Sequence, residues 1–442
     1  MPNIVEHLRT RKNKPPQIHR LNFFPGSKIV EFKAGFEPLN SRSKLCISSN
    51  VSNVVFYSFT CLRSPVSAKT HFTYLDSIRG LAALTVINEH FVIAYGLPCE
   101  NAVCQHILDY SPLHIWWDGG AAVSMFFVLS GLVLSLKYFR SGHKPDLHNF
   151  NLMPYITGRL FRIWLPYCVM VFISAFLYLY TVETPLLKTL LAPSDWIVDM
   201  WRSNPLTRMA MLRESFLLSL PPAVVLLPQA WTLTIELVLS LLLPIGLLLA
   251  DRGTAWLILF SLFAVFLLGV SPFLLHFLLG LMIARHYTVI ADYLTRSPWQ
   301  RRGILLTGLF FYTSASFFPV AFGETAIWLS SGLGAGLIIL YALSSARTQH
   351  ILSHAVLRQI GKVSYSAYLI HMAILICLTP YLLKGLESYT VNHAGLWFGG
   401  WLLTVLIVQL LSLFSYYCLE IPSITLGRKL IAAIQVRHIA KR

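Results

Sequence analysis

The chain has 442 residues, of which 55% are hydrophobic and only 12% charged, and its mean hydropathy is +0.62. A soluble protein carries about a quarter charged residues, so a water-exposed globular chain of this length is excluded. The net charge of +16 arises from 35 Lys and Arg against 19 Asp and Glu, but no basic and aromatic stripe marks a nucleic-acid surface, and the excess suits membrane topology and anionic lipid.

Residues 1–70 hold Lys12, Lys14, Pro15 and Pro16 among many Ser and Asn. They show neither the apolar core nor the cleavage site of a signal peptide, and the apolar stretch Val51–Leu62 is too short to span. A basic, disordered cytosolic arm is expected there. From Leu75 almost to Cys418 apolar runs recur with no polar domain between them. A span takes roughly 20 apolar residues, which places ten helices near 75–97, 119–137, 163–182, 231–250, 254–270, 271–287, 304–322, 325–344, 363–384 and 396–417. The fifth and sixth meet at Ser271-Pro272, as a tight hairpin or as one broken unit. The run Glu214–Pro228 ends in Pro221-Pro222 and Pro228. Proline lacks the amide that a spanning helix must satisfy internally, so this run reads as a re-entrant or surface segment.

The expected fold is therefore all-α: a polytopic membrane helical bundle of about ten transmembrane helices over residues 71–430, followed by a basic cytosolic tail at 431–442. With the N-terminus inside, about 30 of the 35 Lys and Arg fall on the cytoplasmic side. Lys188, Arg202, Arg208 and Arg213, in the long 183–230 loop, run against that pattern. Both termini are expected in the cytoplasm. Cys99 and Cys104 flank the first outer loop, where a disulfide and two free thiols are both open. Cys168, Cys377 and Cys418 read as packing residues. No pattern has metal-ligand spacing, and His143 and His148 belong to a polar loop.

Ionisable residues within a span are costly and are functional candidates by default. The first helix carries Asp76, Arg79, Asn88, Glu89 and His90. The eleven residues from Arg79 to His90 bring both to one helical face, about 16 Å apart along the axis, with Asp76 on the same stripe. Taken alone, Arg79 also suits an interfacial anchor, and His90 a helix–helix hydrogen bond. The small residues of Gly119–Gly131 permit close helix contact. Arg159 and Arg162 sit at i and i+3, where they could clamp a phosphate or simply fix topology. Glu236, in the first turns of the fourth helix, needs a partner. Ser364, Tyr368 and His371 form one polar stripe on the ninth helix.

Five segments together resemble acyltransferase family 3, a family of membrane acyltransferases. They are Asp76-Ser-Ile-Arg79-Gly80 with His90, Phe126-Phe-Val-Leu-Ser130-Gly131, Arg159-Leu-Phe-Arg162, Trp231-Thr-Leu-Thr-Ile-Glu236, and Gly361-Lys-Val-Ser364-Tyr365-Ser-Ala-Tyr368-Leu-Ile-His371. The ending Leu419-Glu420-Ile421-Pro422 is similar to that family's close, and the match runs in the family's order from about 75 to 430. The resemblance implies a ten-helix bundle, an acyl-CoA donor and an acceptor hydroxyl, commonly on an envelope sugar. Ser124 stands where the family often has an acidic residue, and Glu89 where it has an aromatic or small one.

On this basis His90 is expected as the base or transient acyl carrier, with Arg79 stabilising negative charge and Asp76 orienting it. Arg159 and Arg162 would hold coenzyme A phosphates. Ser130, Glu236, Ser364, Tyr368 and His371 would support the site or line the acceptor route. No metal and no nucleic acid are expected, and the plasma (inner) membrane is the expected location. The alternatives are a proton-coupled secondary transporter using His90, Glu89 and Arg79, for which no inverted repeat is visible, and a non-catalytic assembly protein.

Overall fold

The structure, a computed structural model, describes residues 18–21, 30–37, 44–50 and 72–440, apart from 100, 140–143, 148–149, 183, 185–186, 203–204, 219–225 and 318–322. Lys12, Lys14, Pro15, Pro16, Val51–Leu62, His143, His148 and the Pro221-Pro222 pair lie outside the described residues. The chain divides into two units, Met1–His71 and Phe72–Arg442.

The first unit contains an antiparallel sheet of order β1-β2-β3, with β1 at Ile18–Leu21, β2 at Val30–Glu37 and β3 at Lys44–Asn50. In β2, Val30, Phe32, Ala34 and Phe36 alternate with Glu31, Lys33, Gly35 and Glu37, the period-two pattern of a strand. These strands are an addition to the all-helical expectation.

The second unit is helical. Its principal helices are α1 (Thr73–Tyr95), α2 (Gly119–Ser135), α3 (Leu152–Thr181), α4 (Ala230–Leu241), α5 (Leu243–Arg252), α6 (Phe273–Arg296), α7 (Glu324–Ser344), α8 (Ala355–Cys377), α9 (His393–Ser415) and α10 (Ile421–Ala440). A π-turn at Tyr416–Glu420 joins α9 to α10 without a break.

Six helices are long and apolar enough to cross a membrane, and α4 with α5, bent by 48°, make a seventh if they count as one span. The chain is an integral, multi-pass membrane protein. The three other expected spans fall short for separate reasons. Helix α1 has the length, at 23 residues, but Asp76, Arg79, Asn88, Glu89 and His90 make it too polar. The apolar helix Thr254–Leu267 is too short. Pro298–Tyr312 has only 15 residues. Lipid-facing positions are conspicuous on α3 and α9, where Phe176, Leu179, Tyr180, Leu410 and Phe414 are all exposed.

Small residues set the inner packing. A Cβ at Gly131 would meet the backbone of Phe277, and one at Gly280 the backbone of Val128, so α2 and α6 touch main chain to main chain. The pair α1 and α8 does the same at Gly80 and Gly361, where an added Cβ at Gly361 would stand 2.3 Å from the Asp76 carbonyl oxygen. From there the two helices run parallel. Gly80 faces Gly361, His90 faces His371, and Tyr95 Oη donates to the Leu375 carbonyl at 3.4 Å. Overpacking a tight contact costs about 1–3 kcal/mol. Gly361→Ala should therefore lower the melting temperature in detergent by several degrees. Gly158→Ala, whose Cβ would meet nothing within 4 Å, should leave it unchanged.

After α1 the chain turns through Pro98, and a disulfide joins Cys99 to Cys104, resolving the alternative left open by the sequence. Beyond it the buried Phe91, Ala94, Tyr95, Leu191, Ile197, Met372, Leu375 and Leu383 form a second, smaller core. That core seats the short helix Asp195–Asp199 against the far ends of α1 and α8.

Candidate active site

The parallel pairing of α1 with α8 brings His90 and His371 together. His90 Nδ1 lies 2.8 Å from His371 Nε2. The ring planes are 7° apart and the centroids 5.0 Å. With so short a nitrogen contact, the rings meet edge to edge rather than face to face. His371 is fully buried, and its Nδ1 lies 2.8 Å from the Tyr368 carbonyl and 3.3 Å from that of Ala367.

Those contacts determine the protons. A carbonyl only accepts, so His371 Nδ1 carries a hydrogen and donates it. Neutral His371 then offers a lone pair at Nε2, and His90 Nδ1 must donate to it. The lone pair of His90 is left on Nε2. Tyr368 supports the arrangement from the same helix: its hydroxyl contacts Thr232 Oγ1 at 2.7 Å. Gln229 fastens α8 from the start of α4, its Nε2 donating to the Tyr368 and Leu369 carbonyls at 3.1 and 3.0 Å.

A second cluster lies toward the N-terminal ends of α1 and α8. Arg79 Nη1 donates to Asp76 Oδ1 at 3.0 Å. Glu236 Oε1 accepts from Ser130 Oγ at 2.8 Å and from Arg159 Nη2 at 3.4 Å, so the carboxylate has the partners its position demanded. Arg159 is only 8% exposed, whereas Arg162 is exposed. Arg79, Arg159 and Arg162 lie within electrostatic reach of one another; Glu236 reaches Arg79 and Arg159, Asp76 reaches Arg79, and Glu420 reaches Arg79 and Arg162.

Sequence alone singled out neither Glu420 nor Gln229 as a candidate. The π-turn that ends at Glu420 tucks its carboxylate inward, 5% exposed, where Oε2 accepts from Ser366 Oγ at 3.0 Å. A lone carboxylate following the apolar α9 was the available signal, and π-turns recur at functional sites. Ser364, by contrast, bonds back to the Gly361 carbonyl at 2.9 Å and reaches neither the histidines nor the arginines through any described hydrogen bond. Glu89 turns away from the histidine pair. It accepts the backbone N–H groups of Gly119 and Gly120 at the positive end of α2. Ser124 Oγ bonds back to the Gly120 carbonyl at 3.2 Å. Among the described residues no group of three or more His, Cys, Asp or Glu converges on a metal-sized site.

A buried histidine contact inside a bundle of membrane-spanning helices, with a cluster of guanidinium groups toward one end, is an arrangement suited to group transfer. The family of acyltransferase domains designated acyltransferase family 3 matches residues 72–419, and the chain belongs to that family. It is an acyltransferase. No match was found among curated proteins or among solved structures.

Proposed function

We propose that the chain transfers an acetyl or similar acyl group from acyl-CoA to the hydroxyl of a sugar or comparable acceptor, with His90 as general base. The observation that carries this reading is the hydrogen-bond chain from His90 Nδ1 through His371 to the Tyr368 carbonyl, which leaves the His90 Nε2 lone pair for chemistry. The base takes the acceptor's hydroxyl proton as the oxygen attacks the thioester carbonyl. A tetrahedral oxyanion forms, the C–S bond breaks, and the proton returns from His90 Nε2 to the departing thiolate. Throughout, His371 Nε2 accepts from His90 Nδ1 and steadies the imidazolium while it exists. Membership of the family replaces the transporter and assembly-protein readings.

The spacing of the two clusters supports a coenzyme A donor. Arg79 and His90 stand about 16 Å apart along α1. A donor that anchors its phosphates at the guanidinium cluster needs a long, slender arm to bring its thioester to His90, and the pantetheine arm is such a linker. Arg162, exposed at the mouth, is the first phosphate contact. Arg159 is shared between donor and Glu236, and Arg79, held by Asp76, faces the path between. Bundle walls that exclude water suppress thioester hydrolysis. The distribution of basic residues supports a cytoplasmic side for the arginine cluster, where acyl-CoA is made, and the plasma membrane is the location that fits an envelope acceptor.

Consumption of acetyl-CoA by the purified protein tests this reading, and a failure to consume any thioester overturns it. Charge-assisted contacts are worth about 1.5–3 kcal/mol. Arg162→Ala should therefore weaken acyl-CoA binding by tenfold or more, as measured by titration calorimetry. Unchanged binding in the folded variant would return Arg162 to topology alone.

A further inference from the structure

We propose that a groove between α6, the helix Pro298–Tyr312 and α7 holds one anionic phospholipid, its phosphate at Arg296 and Arg301 and one acyl chain laid along Pro298–Tyr312. The groove is lined by Tyr293 of α6, by Gln300, Gly303, Ile304 and Thr307 of the intervening helix, and by Leu337 of α7. The four residues of the intervening helix stand at i, i+3, i+4 and i+7, which is one helical face. A Cβ at Gly303 would meet nothing within 4 Å, so the middle of that face is open. Farther along, the groove closes, because a Cβ at Gly308 would stand 3.0 Å from Leu337 Cβ.

The two ends of the groove differ in polarity. At one end Gln300 Nε2 donates to Tyr293 Oη at 3.0 Å, and Arg301 Nη1 donates to the Ser344 carbonyl at 3.3 Å. The second bond levels the start of the intervening helix with the end of α7. From Gln300 to Thr307 is about 10 Å along the axis, and Leu337 lies about the same distance before Ser344. The apolar end is therefore about 10 Å deeper than the polar one, within a single leaflet of a roughly 30 Å hydrocarbon core. Tyr293 and Trp299 are both exposed at the polar end, as aromatic residues are where a membrane meets water. Leu306 and Phe310, on the same short helix, are exposed too, which sets the groove on a lipid-facing side. A polar head with an apolar chain running inward is the shape of a membrane lipid.

The rim sets the charge of the head. Arg296 is exposed on α6 one turn beyond Tyr293, and Asp292 is the one acid between residues 292 and 302. Arg302 is drawn over the Trp299 ring, 5.2 Å from its centroid. The bond to Ser344 occupies one of the five donors of the Arg301 guanidinium, and the guanidinium fork suits phosphate oxygens. Two arginines against one carboxylate leave the rim positive. A zwitterionic headgroup brings an ammonium that such a rim repels, whereas an anionic one does not. A single basic residue near a membrane surface favours anionic lipid by about fivefold.

The groove is separate from the residues assigned to acyl transfer, so its test needs no turnover. Full-length protein in detergent is equilibrated with equal amounts of dioleoyl-phosphatidylglycerol and dioleoyl-phosphatidylcholine, and native mass spectrometry counts the lipid retained. One phosphatidylglycerol should be retained about fivefold or more over phosphatidylcholine. Gly303→Trp fills the groove at its open position and should lower that retention at least fivefold without lowering the melting temperature, since glycine is a poor helix former. Arg296→Gln should bring the two lipids to equal retention, and inorganic phosphate in large excess should displace neither. Equal retention by the wild type, or unchanged retention in Gly303→Trp or in Arg296→Gln, overturns the proposal. Displacement by inorganic phosphate would make this a phosphate site with no role for the chain, and a lipid-free dimer would show that a second copy covers the groove; either result also overturns it.

Discussion

His90→Ala is expected to abolish acyl transfer while leaving expression and membrane insertion intact. A general base contributes about 10²–10⁴-fold, and neither Arg79 nor a nearby amide can cycle a proton at neutral pH. Its partner gives a more discriminating result. His371 holds the His90 tautomer through an accepting nitrogen 2.8 Å away. A glutamine at that position can offer its carbonyl oxygen to the same N–H, whereas alanine offers nothing. His371→Gln should retain part of the turnover, and His371→Ala should fall toward His90→Ala. The measurement is kcat with saturating acetyl-CoA. Wild-type turnover in His90→Ala would show that the base lies elsewhere, and equal rates for His371→Gln and His371→Ala would show that His371 does not orient it.

The second large effect is on stability. Glu236→Ala removes the carboxylate that faces Arg159, whose side chain is only 10% exposed and whose Nε has no hydrogen-bond partner. Breaking a buried ion pair from one side costs about 3–5 kcal/mol, because the remaining charge stays desolvated, whereas replacing both members with apolar residues is often neutral. Glu236→Ala should therefore yield little folded protein in detergent. The double variant Arg159→Met with Glu236→Leu should recover the melting temperature and remain impaired in donor binding. If Glu236→Ala melts like wild type, the Arg159–Glu236 pair does not hold the fold together.

Much of the fold was legible because the bilayer imposes a simple rule. Long apolar runs at 119–137, 325–344 and 363–384 became helices α2, α7 and α8, since a chain in lipid can satisfy its backbone only internally. The rule gave less where length and polarity competed, as in α1, or where an apolar run broke at Pro272. Local spacing also placed Arg79, Asp76 and His90 on one face. What it could not supply was the register between helices distant in sequence. Nothing in either segment says that position 90 meets position 371. That follows from Gly80 and Gly361 meeting backbone to backbone, which fixes the slide of one helix along the other. The contact of Glu420 with Ser366 has a similar origin, because the π-turn changes which residue after α9 faces inward.

The Cys99–Cys104 bridge has a consequence for biogenesis. It joins two cysteines five positions apart just after α1, and such a bond forms where thiols are oxidised. A newly made chain gains it only once the end of α1 that follows His90 has been delivered to an oxidising compartment. The bridge is thus a covalent mark of delivery to such a compartment, beside the helix that carries His90.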